Sequence, residues 1–211
     1  MKVRGIVCLL ACGMIVGCLP SSEPTPAIVT GPVDYEPLPA AHSVGSRQQT
    51  TILQEAVPGE WIPPRNVERS WGAIVIHHSG TPNGNAAIFD RWHREGNHWQ
   101  GVGYDFVIGN GTDSPDGAVE VTFRWRQQIA GAHCKTPDNW ANQTAVGICL
   151  VGNYNETAPT PKQIASLQQL VEFLRHRYRI DSRAVYTHQH TPGARVTDCP
   201  GRHFDMSCLG L

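Results

Sequence analysis

The chain has 211 residues, a formal charge of −1 and 40% hydrophobic residues. That length fits one folded domain with appendages, and the apolar fraction is enough to build a core. Basic and acidic side chains nearly balance, 17 against 18, so there is no cationic surplus of the kind that binds nucleic acid.

Lys2 and Arg4 precede an uncharged apolar stretch, residues 5–17. It is too short for a comfortable membrane span and reads as an export signal. Ile15-Val16-Gly17-Cys18 resembles a bacterial lipobox, with isoleucine where leucine is usual. That resemblance implies removal of residues 1–17, lipidation of Cys18 and an exported, membrane-anchored protein. Leu19, in place of aspartate, points by the same resemblance to the periplasmic side of the outer membrane. An ordinary cleaved signal peptide is the alternative. Export would leave Cys134, Cys149, Cys199 and Cys208 in an oxidising compartment, and sequence does not decide their pairing.

Residues 18–60 read as a tether. Nine of the sixteen prolines fall between Pro20 and Pro64, and no apolar period is sustained. Such segments are extended and semi-rigid, suited to holding a domain at residues 61–211 away from lipid. Within that domain, residues 73–76 are a short apolar, β-branched run, expected as a strand covered on both faces. Residues 81–84 signal a turn, and Asn85 can cap a helix to about Glu95 with Ile88, Phe89 and Trp92 on its apolar stripe. Residues 104–108 and 119–123 read as two strands of a hairpin around a Gly- and Asp-rich loop. That loop, residues 110–117, is no EF-hand, because Val121 stands where the twelfth-position glutamate belongs.

Residues 146–151 form another apolar strand pattern. Thr160, Pro161 and Gln163 make a capping box with proline at the first helical position. Ile164, Leu167, Leu170, Val171, Leu174 and Tyr178 then recur at helical spacing. Residues 184–187 give a last strand. Strands and helices mixed through one region predict a single α/β domain with a central mixed β-sheet flanked by helices.

Two stretches carry chemistry. AIVIHHSG ends an apolar strand in His77 and His78, and VTDCPG puts Cys199 before a Pro-Gly turn, eleven residues after His188. Two imidazoles, a thiolate and an open fourth place form a catalytic zinc pattern, since structural zinc sites are closed by four protein ligands. His78 would face away from His77 on a strand and suits a supporting role. His190 rivals His188, and a disulfide with Cys208 is the alternative use of Cys199.

The ordered set IVIHHS, GYDFVIG, GAHCK, VGICLVGN and THQHTPGARVTDCPG resembles the zinc N-acetylmuramoyl-L-alanine amidases, which include peptidoglycan recognition proteins and phage amidase-lysins. The likeness runs from about Trp61 to Phe204. It implies a peptidoglycan-recognition-protein-like fold, Zn2+ held by His77, His188 and Cys199, and hydrolysis of the amide between N-acetylmuramic acid and L-alanine. The substrate is then peptidoglycan or a muropeptide. The same resemblance implies a Tyr104 hydroxyl that assists the oxyanion, and it puts Thr197 where some relatives carry a lysine. It further implies that His133 lines the substrate groove, with Lys135 and Asn142 as contacts. His-Gln-His at residues 188–190 departs from the His-Arg-Asp of relatives. The rival function is a peptidoglycan-binding module without catalysis. Such members typically lack the cysteine ligand.

Overall fold

The computed structural model describes residues 57–211. The signal segment, the lipidation candidate Cys18 and nearly all of the tether lie outside the described residues.

Five strands form one mixed sheet: β1 Ala73–His78, β2 Phe106–Ile108, β3 Val119–Val121, β4 Ala145–Leu150 and β5 Val185–Thr187. Their spatial order is β3-β2-β4-β1-β5. β2, β4, β1 and β5 run parallel, and β3 closes the edge antiparallel to β2. β4 is buried along its whole length, and β1 is buried up to His77. Apolar runs without alternation are what parallel strands covered on both faces require.

Among the described residues, four α-helices accompany the sheet: α1 Ala86–Asn97, α2 Phe123–Gln127, α3 Trp140–Thr144 and α4 Pro161–Tyr178. α4 covers one face. Its Leu167, Leu170, Val171 and Leu174 join Ile74, Ile76, Phe106, Ile148 and Leu150 in the main core. Side chains on a strand alternate, so Val75 and His77 face the other way. There Phe89 of α1 packs with Val107 and Cys149, and Ala141 of α3 packs with Val75. His77 therefore projects into a thinner layer built from short helices and loops.

The helix starts follow the sequence rules. Asn85 accepts a hydrogen bond from the Ile88 amide (2.8 Å), and the Thr160/Gln163 capping box is complete. Gln163 does more than cap. It is 1% exposed, its amide donates to the carbonyls of Ile108 and Val151, and its Oε1 accepts from the Tyr154 hydroxyl. A polar residue thus ties the start of α4 to the ends of two strands.

Three details depart from expectation. The strand expected at residues 119–123 ends at Val121, because the Thr122 hydroxyl accepts from the Arg124 amide and starts α2. α3 was not anticipated from the sequence. Trp92, expected on the buried stripe of α1, is 42% exposed; Phe89 is the one buried residue of that helix, with Ala86 and Ile88 packed beside it.

Asp105, just before β2, is fully buried and accepts from the Gly147 amide (2.8 Å). Burial outweighs that hydrogen bond and pushes its pKa up from 3.8 to about 7. The unfolded chain therefore loses this proton at lower pH than the native chain. Below about pH 4 the group is neutral in both states. The contribution of Asp105 to stability should fall as pH rises from there to about 7, by about 1.4 kcal/mol per unit of difference in pKa. Asp105→Asn is expected to remove this slope. In urea titrations from about pH 4.5 to about pH 7.5, the stability of the variant relative to wild type should grow with pH. A constant difference would show that Asp105 is ionised in the native protein.

Candidate metal centre

β1 and β5 are adjacent and parallel, with Ile76 opposite Thr187. Their C-terminal ends therefore bring His77, near the end of β1, beside His188, the first residue past β5. The two rings lie 4.6 Å apart, centroid to centroid. Ligand sites in open α/β sheets sit at this end of parallel strands. Cys199 comes from the following loop, which is held to the histidine turn by the Gln189 amide donating to the Cys199 carbonyl (2.9 Å). Its Sγ lies 3.8 Å from Nδ1 of His77 and accepts from the His78 amide at 3.4 Å. One ligand atom from each of His77, His188 and Cys199 falls within 4.8 Å of the others.

The donor set fits zinc. Tetrahedral coordination with bonds of about 2.3 Å to sulfur and about 2.0 Å to nitrogen puts S and N about 3.5 Å apart, close to the spacing found. The ionisation states fit as well. Burial, reinforced by the neighbouring imidazoles of His133, His188 and His78, holds His77 well below the usual histidine range. Burial, then His78, lowers His188. Both rings are thus neutral and offer lone pairs at neutral pH. Burial pushes the Cys199 thiol up to about 12, so it keeps its proton until a cation replaces it.

The four described cysteines are free, so Cys199 is not paired with Cys208. His190 is turned aside, its Nδ1 2.8 Å from the Thr187 hydroxyl. His78 faces the opposite side of β1, where its Nδ1 accepts from the Tyr154 amide (3.0 Å). Its backbone N–H, rather than its ring, supports the site.

Tyr104 lies near the centre, its ring tilted against that of His77 with centroids 5.3 Å apart. Burial raises its phenol well above the usual tyrosine range, so it stays a neutral donor. The Thr197 hydroxyl accepts from the Cys199 amide (3.2 Å) and shapes the ligand loop. The same hydroxyl keeps its own hydrogen to donate.

The residues expected to line a substrate groove are placed differently. His133 and Asn142 are each 8% exposed. Nδ1 of His133 lies 3.0 Å from Nε2 of His77. Asn142 Oδ1 accepts from the amides of His133 (2.8 Å) and Cys134 (2.9 Å), so it clamps this loop from inside. A buried side chain spent on such bonds is not a groove wall. Lys135 is exposed, as are His98 and Trp99. The Trp99 ring is tilted against His93 with centroids 4.9 Å apart, and His93 lies 5.8 Å from Tyr104. Trp140 is half-buried and donates to the Pro192 carbonyl (3.2 Å).

A profile of the N-acetylmuramoyl-L-alanine amidase family matches residues 68–202. Peptidoglycan-recognition protein SC1a of Drosophila melanogaster is 32% identical over 139 residues, 62% of this chain and 68% of that protein. The endolysin of Enterobacteria phage K11 is 33% identical over 121 residues, 55% of this chain and 68% of its own. Among solved structures, the endolysin N-acetylmuramoyl-L-alanine amidase LysCS from Clostridium intestinale URNW superposes with a TM-score of 0.56 at 30% identity, over 66% of this chain and 81% of that one. Bumblebee PGRP-SA shares the fold, with a TM-score of 0.54 at 23% identity. Similarity that spans the sheet, the histidine turn and the cysteine loop together places the chain in the N-acetylmuramoyl-L-alanine amidase family.

Proposed function

We propose that this chain is a zinc hydrolase of peptidoglycan. It cleaves the amide between the lactyl group of N-acetylmuramic acid and the first L-alanine of the stem peptide. Peptidoglycan is the common ground of the named relatives, which are recognition proteins on one side and amidases on the other. The observation that carries the enzymatic reading is the His77, His188 and Cys199 cluster, with three ligand atoms gathered in one place.

Zinc, when bound there, supplies Lewis acidity toward a carbonyl and toward water. The chain's own residues do the rest. His77 and His188 offer neutral nitrogen donors, and the Cys199 thiol gives up its proton to become the third. The thiolate donates charge and tempers Lewis acidity, so a separate donor for the developing oxyanion gains importance. The Tyr104 hydroxyl has that role, with Thr197 as a weaker second donor.

The purified chain with zinc is expected to release free stem peptides from cell-wall sacculi or muropeptides, and a chelator should stop the release. Binding to sacculi with no metal and no release would favour a recognition module instead. Export, removal of residues 1–17 and lipidation of Cys18 form part of the same proposal, with residues 18–60 as spacer and the periplasmic face of the outer membrane as the site of work. Fatty-acid labelling that persists in Cys18→Ala would overturn the anchor.

A further inference from the structure

His133 is too buried to touch a substrate, yet its ring nitrogens are both engaged. Nε2 faces the Ala145 carbonyl at 3.3 Å, and Nδ1 faces Nε2 of His77 at 3.0 Å. A carbonyl oxygen only accepts, so Nε2 of His133 carries the hydrogen and Nδ1 keeps the lone pair. His77 must then donate from its Nε2, which leaves its Nδ1 as the lone pair. That nitrogen is the one directed at Cys199 Sγ.

The His133 ring is held in a slot. A Cβ built on Gly131 or on Gly147 would come within 2.5 Å of its Cδ2. Glycine on both sides, one in the loop and one in β4, leaves room for the ring against the sheet, and the contacts of its two nitrogens hold it there. Its backbone is fixed too, by Asn142 Oδ1 on the His133 amide and by the Ala132 amide on the Gly103 carbonyl (2.9 Å).

We propose that His133 is a positioning residue for the metal centre: by accepting a hydrogen bond at Nδ1 it fixes the Nε2–H form of His77 and dedicates His77 Nδ1 to the metal. The inference rests on reading His77, His188 and Cys199 as a zinc site. Imidazole ligands are commonly oriented by a hydrogen bond from their other ring nitrogen, and loss of such a partner typically costs about 10–100-fold in metal affinity.

The test compares zinc affinity, by chelator competition, in the full chain and in His133→Leu and His133→Asn. Asparagine puts Oδ1 where Nδ1 stood, so the acceptor survives while the ring is lost. His133→Leu is expected to weaken zinc binding about 10–100-fold, and His133→Asn to recover most of that loss. Thermal unfolding of the metal-free proteins should be lowered alike in both variants. Long-range proton–nitrogen spectra of the zinc-loaded wild type should show Nε2–H on His77 and on His133. Equal weakening in the two variants, a leucine variant within about twofold of wild type, or a proton on Nδ1 of His133 would overturn the proposal. Failure of the parent reading looks different: the wild type itself would not bind zinc in a Cys199-dependent way.

Discussion

Cys199→Ala should abolish tight zinc binding and reduce amidase activity at least about 10³-fold. Catalytic zinc sites hold the ion by three protein ligands, and two imidazoles alone do not suffice. A metal's charge stabilisation of a polarised carbonyl is worth several kcal/mol, and about 4 kcal/mol corresponds to about 10³ in rate. Thermal scans give a second readout. Zinc at a thousandfold excess over its Kd should stabilise the wild type by about 4 kcal/mol, whereas the variant should not respond. Stoichiometric zinc in Cys199→Ala would place the ion elsewhere.

The ionisation states add a pH signature to this result. Burial keeps His77 and His188 neutral, and it keeps the Cys199 thiol protonated up to about 12. Binding at neutral pH therefore displaces the thiol proton and none from the histidines. Apparent zinc affinity should rise about tenfold per pH unit from about pH 6 to about pH 8, the slope for release of one proton. Ordinary histidines would steepen that slope on the acid side. A flat profile would mean that the thiolate exists before the metal arrives.

The parts of the fold readable in sequence are those where one physical cause dominates. β1 and β4 are short runs of apolar residues with no room for a helical period, and α4 carries both a full capping box and a long apolar stripe. The cluster of His77, His188 and Cys199 was legible because its residue types are rare and sit at strand ends or before a tight turn. α2 and α3, at five residues each, are too short to show a 3.6-residue period. Thr122-Phe123 continues the alternation of β3 until the threonine turns into a cap. The placement of His133 and Asn142 is a tertiary fact. A histidine in a Gly-Ala-His-Cys-Lys loop suggests exposure, and only the packing against Gly147 reveals the slot. The signal for that was a glycine inside an apolar strand, which marks a close approach by another group.

Tyr104→Phe should separate metal binding from transition-state stabilisation. The ring packs with Phe89, Val107 and Cys149, and the substitution keeps all of that apolar contact. Only the hydroxyl goes. The phenol is no metal ligand, so zinc affinity should stay at the wild-type value, in contrast to Cys199→Ala. Because burial holds the phenol neutral, it can donate across the whole neutral range and should add no inflection to the pH–rate profile there. An oxyanion donor strengthens only as charge develops, and removing one costs about 10²–10³ in kcat. The loss should appear equally in kcat and kcat/KM, with KM nearly unchanged, the pattern of an interaction made in the transition state alone. A rise in KM at constant kcat would instead make Tyr104 a substrate-binding residue. It would leave Thr197, whose hydroxyl already engages the Cys199 amide, as the remaining donor for the oxyanion.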